Sequence, residues 1–298
     1  MQNASAMNAA TPATPAMQAT SESSRLWRTF TRNRLAVLGL VMVILFTLIA
    51  IFAPLLAPHD PLAQSTRDRL APPSSEYLLG RDDFGRDILS RTIYGARISL
   101  MVGVVSVLIG GVTGTIMGVV AGFKGGRIEN VIMRVVDTLL AFPDLITGLL
   151  VLAVLGAGLD KLILAIGIVI SPRFARLAHG PTLGLREKDF VSAARAIGAS
   201  DLRMVGKHIL PNIMGEMLVM ASLWTATAIR IEANLSFIGL GVSPPTPTWG
   251  QMIRDGTIYL SNSPWFSLFP GLAVLLTVLA FNLLGDGLRD VLDPKLQQ

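Results

Sequence analysis

Residues 98–123 read ISLMVGVVSVLIGGVTGTIMGVVAGF, a stretch without one charged side chain. As an α-helix rising 1.5 Å per residue it reaches about 39 Å, more than the roughly 30 Å of a bilayer's hydrocarbon core. Within it Ser106, Gly110, Gly114, Gly118 and Gly122 recur every fourth residue. Such a small-xxx-small stripe lets a second helix approach backbone to backbone. Two uses are open to it, plain bundle packing and a seam that moves.

Reading outward from this stretch, Leu35–Ala57 is equally uncharged, and residues 256–285 lie uncharged between Asp255 and Asp286. Residues 208–229 are interrupted only by Glu216, 128–159 carry their charges in the first half, and 161–183 have a short uncharged centre, Leu162–Pro172. The expected spans are 35–57, 98–122, 130–155, 161–183, 212–236 and 267–288, an all-α polytopic membrane domain with six transmembrane helices. The composition agrees: 51% of residues are hydrophobic and 15% charged, where soluble domains carry about 25% charged residues. Residues 1–24, Ala-, Thr-, Ser- and Pro-rich with the single charge Glu22, read as a disordered tail ahead of the permeation domain at 25–298. The run from Leu35 is too long for a signal peptide. The chain has no cysteine, which excludes disulfides, thiolate metal sites and a cysteine nucleophile.

The net charge is only +5, so the positions of the basic residues carry the information. With the N-terminus inside, Arg25, Arg28, Arg32, Arg34, Lys124, Arg127, Arg173, Arg176, Arg186, Lys188, Arg195, Arg203, Lys207, Arg289 and Lys295 gather on one side, whereas the basic residues of the other side are matched by acidic ones. The positive-inside rule therefore places both termini in the cytoplasm. Nothing in this distribution suggests nucleic acid, and lipid is the expected surrounding.

Between the fourth and fifth spans a polar cytoplasmic loop, 184–211, has the punctuation of two short helices. Asp189 is placed to cap the first and Gly198 to end it in a left-handed turn; Ser200 caps the second and Pro211 opens the next span. Small residues at Ser192, Ala193, Ala194 and Ala196 offer a face that fits a groove, or belong to an ordinary interfacial loop. Inside the spans, Asp144 follows Pro143 and marks a site on a translocation pathway by the default reading of an intramembrane carboxylate, as does Glu232. Arg134 and Asp137 are spaced to neutralise each other; Arg230 and Glu232 each need another partner. Asp87 and Arg91, four apart, are spaced to pair on the outer surface. Trp27, Trp249 and Trp265 fall near membrane edges as anchors. His59, His179 and His208 have no metal-ligand spacing.

No GxxxxGK[ST] loop, Ser-His-Asp set or HExxH motif occurs, so the chain has no P-loop and no catalytic residues are assigned. A stand-alone secondary transporter would call for broken helices at the midplane, and an intramembrane enzyme for a nucleophile and base or a ligand set.

The loop pattern Ala193-Ala194, Gly198, Leu210-Pro211 resembles the EAA loop of ABC-importer permeases, with Ser192 in place of the motif's Glu and His208 in place of an aliphatic residue. Three further stretches are similar to the second, C-type permease subunit of dipeptide, oligopeptide and nickel importers. They are LGRDDFGRDILSRTIYGARIS at 79–99, EANLSFIGLGVSPPTPTWG at 232–250 and FNLLGDGLRDVLDP at 281–294. The resemblance implies a type I ABC-importer permease fold in the bacterial inner membrane. It implies half of a translocation pathway, completed by a homologous permease subunit, two P-loop ATPase subunits that hold ATP and Mg, and an extracytoplasmic solute-binding protein. The implied cargo is a dipeptide or short peptide, with nickel or another small solute as the alternative. The loop at Ser192, Ala193, Ala194, Gly198, Leu210 and Pro211 is implied to couple to the ATPases.

Overall fold

The computed structural model describes residues 22–292. Lys295 and residues 1–21 of the expected tail lie outside the described residues, and Glu22 already opens a helix. The regular structure in this range is helical, and the one β-pairing among the described residues is an isolated antiparallel bridge between Arg81 and Asp87.

Amphipathic α1 (Glu22–Arg32) is separated from α2 (Arg34–Ile51) by Asn33, whose side chain accepts from the amides of Leu35 and Ala36. The first span is shorter than expected. Phe52 ends α2 and a four-residue α3 (Ala53–Leu56) follows, because Pro54 has no amide proton to continue the ladder. Helix α4 (Ile88–Lys124) starts ten residues before the expected span, capped by Asp87. After α7 (Leu159–Arg186) come α8 (Asp189–Ala196), α9 (Asp201–Met204), a π-turn at Val205–Ile209 and α10 (Leu210–Ile238). A short helix, α11 (Trp249–Thr257), precedes α12 (Trp265–Leu292).

The expected third span is not one helix. It breaks into α5 (Gly126–Leu140) and α6 (Asp144–Leu155), bent by 100°. Pro143 is the cause: it donates no hydrogen bond and disfavours helical geometry at Phe142 before it. Among the described residues five helices are long and apolar enough to cross a membrane, six when the bent pair is one span.

Helices α4 and α7 form the centre of the bundle. Ser106 donates to the carbonyl of Ile163 at 3.0 Å. Below it, a Cβ placed on Gly110, Gly114, Gly118 or Gly122 would lie 2.5, 2.1, 2.1 or 2.8 Å from the carbonyl oxygens of Gly167, Ser171, Ala175 and His179. Two four-residue ladders thus run in register, one of missing side chains and one of carbonyls. Backbones this close gain dispersion contacts that lipid tails cannot match. Helix α10 packs on α4 with Ile229 seated over Gly103, and α12 crosses α2 at Gly39 and Gly287 and α10 at Gly285.

Candidate functional site

The loop between α7 and α10 hangs from the bundle by three apolar anchors. Val191 of α8, Met204 of α9 and Ile209 of the π-turn are buried in the same core as Ile166 and Ile170 of α7. Helix α8 ends at Ile197. Gly198 stands at φ +85°, and the amide of Ala199 reaches back to the carbonyl of Ala194 at 3.0 Å, the six-to-one bond of a Schellman turn. Ser200 accepts from the amide of Arg203 and caps α9. Asp189 does not cap α8, since it is the helix's first residue and Lys188 occupies the cap position with no side-chain bond.

With the anchors turned inward, the opposite face is bare. Ser192, Ala193 and Ala196 are exposed, and Ile197 and Leu202 are 86% and 84% exposed. Ala194 and Leu210 are half-buried at the core edge, and Pro211 is exposed where α10 begins. Two apolar side chains that open are unusual on a loop with its own core contacts, and they bracket the Gly198 turn. By sequence Val191 and Ile197 belong together on the groove-fitting face; the structure turns Val191 into the core and leaves Ile197 outside, while Leu202 carried no motif signal. A Lys124–Asp201 ion pair of 2.6 Å ties the end of α4 to this loop.

The π-turn solves a local problem. Pro211 supplies no amide to the carbonyl four residues back, and its ring crowds that turn. The chain widens there, with Leu210 donating to Val205, and the Asn212 side-chain amide donates to the carbonyl of His208 at 2.6 Å.

At the opposite end of the bundle, the loop from residue 57 to 87 folds over a buried ionic knot. Asp82, with 0% exposure, accepts from the amides of Phe84 and Arg86, pairs with the Arg86 Nε at 2.6 Å and lies 3.3 Å from the Arg91 Nε. The expected Asp87–Arg91 pair does not form, because Asp87 is committed to capping α4 through the amide and hydroxyl of Ser90. Burial pushes the Asp83 carboxyl above its ordinary range, with the Asp82 charge adding to the effect, and burial does the same to Asp255. Both carboxyls therefore bind protons more readily folded than unfolded. Their ionisation costs stability at neutral pH, and that cost is relieved as pH falls through the raised range. Trp249 is no membrane-edge anchor. It is fully buried, packs on Gly95 and donates its Nε1 proton to the carbonyl of Thr92 at 2.9 Å, pinning α11 to α4. Trp27 is exposed and Trp265 half-buried.

Removing Asp82 would take from buried Arg91 the carboxylate 3.3 Å away and leave buried Arg86 with only the Asp83 carboxylate at 3.7 Å. Breaking one side of a buried pair costs about 3–5 kcal/mol, so Asp82→Ala is expected to lower the melting temperature of the purified protein by several degrees. An unchanged melting temperature would show that the knot adds nothing to stability.

The intramembrane charges pair differently from the sequence spacing. Asp137 bonds Arg176 of α7 rather than Arg134, and Glu129 meets His179 at 2.8 Å. Asp144 opens α6 at the break and bonds Arg173, whose guanidinium lies 4.8 Å from the ring centroid of Trp224 on α10. Glu232 is enclosed between α4 and α10 with 0% exposure, accepting hydroxyl protons from Ser99 at 2.9 Å and Ser236 at 2.8 Å. It presents no atom to a passing solute in this conformation, so the pathway role expected for it has no surface to act through. The two carboxylates named from sequence are therefore not brought together. Among the described residues no group of three His, Cys, Asp or Glu side chains could hold a metal ion.

Residues 114–298 match the family described as binding-protein-dependent transport system inner membrane component, and residues 21–73 match the N-terminal TM domain of oligopeptide transport permease C. The dipeptide transport system permease protein DppC of Alkalihalophilus pseudofirmus is 44% identical over 266 residues, covering 89% of this chain and 88% of its own. The di/tripeptide transport system permease protein DppC of Pseudomonas aeruginosa is 42% identical over 98% of both chains. The glutathione transport system permease protein GsiD of Pectobacterium atrosepticum is 43% identical over 91% of this chain and 90% of its own. Among solved structures, an inward-facing form of the MetNI methionine ABC transporter superposes with a TM-score of 0.57 at 20% identity, over 69% of this chain and 98% of that one. That likeness carries the fold alone. The bare loop face, the in-register bundle and these matches lead to one assignment: the chain belongs to the binding-protein-dependent transport system inner-membrane components, as a multi-pass C-type permease subunit of an ABC importer.

Proposed function

We propose that the chain forms half of the translocation pathway for dipeptides or short peptides, paired with a homologous permease subunit, and that its cytoplasmic loop takes up motion from two P-loop ATPase subunits. The observation that carries this reading is the exposed face around Ala193, Ile197, Gly198 and Leu202, held by a buried inner face. A short helix with one anchored and one bare apolar face is built to seat in a groove on another protein. The bare face also accounts for the Ser192 substitution: at the exposed rim, a hydroxyl in place of a carboxylate leaves the apolar contacts intact. ATP and magnesium belong to the ATPase partners, and closure of those subunits on ATP moves the loop and with it α10. On the opposite side the knotted loop and α11 form the surface for a solute-binding protein. The peptide cargo is supported by the named substrates of the dipeptide and di/tripeptide relatives; nickel or another small solute is the alternative.

The experiment is reconstitution of the full complex in proteoliposomes with its binding protein. ATP-dependent uptake of a dipeptide and peptide-stimulated ATP hydrolysis are the expected results, and uptake by this chain alone would overturn the reading. Orientation is tested separately on single-cysteine variants, which the cysteine-free chain permits. With both termini cytoplasmic, Ser75→Cys reacts with an impermeant reagent from outside and Ser200→Cys only after permeabilisation. Reaction of both from one side would refute that arrangement.

A further inference from the structure

Arg173 lies near the midpoint of α7 (Leu159–Arg186), and Asp144 sits at the break between α5 and α6. Both side chains are 26% exposed, and one turn toward the cytoplasm the Arg176–Asp137 pair is more than half exposed. Further along α7, a Cβ on Gly180 or Gly184 would meet no atom within 4 Å. Charged groups on spanning helices do not face hydrocarbon; they face protein or water-filled space. The lipid-facing character is found elsewhere, on the uncharged outer face of α2, where Leu38, Val41, Leu45 and Leu48 are exposed. Charged and open, this strip of α7 is the side we assign to the aqueous pathway.

Resting on the peptide reading above, we infer that the Asp144–Arg173 pair is a contact site for the charged ends of the peptide, Arg173 taking the carboxylate and Asp144 the ammonium group. The chemistry is an exchange of like for like. A zwitterionic peptide brings one group of each sign, so neither side chain is left unpaired when the pair opens. A guanidinium matches a carboxylate in two parallel bonds, and Trp224 holds the Arg173 head from the α10 side while the Val169 carbonyl accepts from it at 3.1 Å. An extended dipeptide spans about 7 Å, so the pair must part to admit it, and partial exposure leaves room for that rotation. Because a pre-existing ion pair is lost when the substrate binds, the site holds its cargo weakly, as a site of passage requires.

Neutralising both partners separates this role from a structural one. If the pair only braces three helices, Arg173→Gln or Asp144→Asn alone leaves an unmatched charge, whereas the double variant restores a balanced, near-isosteric site and with it uptake. If the pair contacts substrate, the double variant inserts and assembles at wild-type levels yet takes up peptide at least about tenfold more slowly, as either single variant does, corresponding to about 1.4 kcal/mol. Gly180→Cys, which keeps both charges, is expected to react with a charged methanethiosulfonate reagent in the assembled complex, and Leu45→Cys not to react. Recovery of uptake in the double variant, or equal silence of Gly180→Cys and Leu45→Cys in every nucleotide state, overturns the inference. Peptide-stimulated ATP hydrolysis by the wild-type complex reports on the peptide reading itself, so the two can fail separately.

Discussion

Gly118→Leu is expected to remove the permease from the assembled complex. A Cβ at this position would stand 2.1 Å from the carbonyl oxygen of Ala175 and 2.9 Å from the Ala178 Cβ. The first obstacle is backbone, which has no rotamer to escape into. Relief must come from separating α4 and α7, and separation at one rung also loosens Gly114 over Ser171 and Gly122 over His179. In lipid no hydrophobic drive returns the helices to each other, because tails solvate the parted surfaces as well as leucine does. The loss should exceed the 4–5 kcal/mol that marks exceptional single substitutions. Copurification with the partner subunits and thermal unfolding in detergent measure it, with Gly111→Leu as control, since its nearest neighbour is the movable Phe174 ring at 3.4 Å. Wild-type assembly of Gly118→Leu would mean that the two helices part without consequence.

Gly198→Val should give the opposite pattern, a correctly inserted subunit that does no work. At φ +85° a β-branched side chain is a steric outlier even though no neighbouring atom lies within 4 Å of the position. The strain is thus confined to the backbone of the Schellman turn. It is relieved by unwinding the end of α8 and moving Ile197 and Leu202 apart, while Val191, Met204 and Ile209 remain anchored. Binding to the ATPase subunits is expected to weaken roughly tenfold or more, since positive φ at such a residue costs on the order of 1–3 kcal/mol, and uptake should fall with it. Gly198→Asn, which tolerates the left-handed region, should retain most of the activity. Ala193→Asp is expected to resemble Gly198→Val by a separate route, placing a charge on the apolar face without disturbing the turn. Wild-type uptake by both Gly198→Val and Ala193→Asp at normal membrane levels would remove the coupling role from this loop.

Much of this architecture is legible in the residues because its causes are local. An uncharged run longer than a bilayer, a glycine every fourth position, a Ser cap and a Gly between two short helices each act within a few residues of themselves. Pro143 was legible too, but only as a residue that frees a carbonyl; the angle of the resulting break depends on how α5 lies against α7. Ser236, four residues after Glu232, could be read from spacing, whereas the partners of Asp137 and Arg91, and Ser99 against Glu232, could not. Arg176 is 39 positions from Asp137, and Ser99 is 133 from Glu232, so helix packing rather than helix periodicity chose them. Trp249 misled for the same reason. An indole near a predicted membrane edge reads as an anchor until α4 is seen to leave a gap at Gly95 that the ring fills.

The widened turn beneath Pro211 has a mechanical consequence. Because the chain passes through it without a break, Asp201–Ile238 is a single rod of 38 residues, about 57 Å long. Its closest seats on α4 are Ile229 over Gly103 and Glu232 against Ser99, both near the outer end. Were those seats to act as a pivot, the rod would divide into an arm of about 42 Å toward α9 and one of about 14 Å toward Gly239. The ratio is that of a crowbar. A push on α9 would emerge at the Gly239 end reversed in direction, about a third as large and correspondingly stronger, beneath α11. A large, soft movement at the α9 end would thereby become a small, forceful one at the Gly239 end.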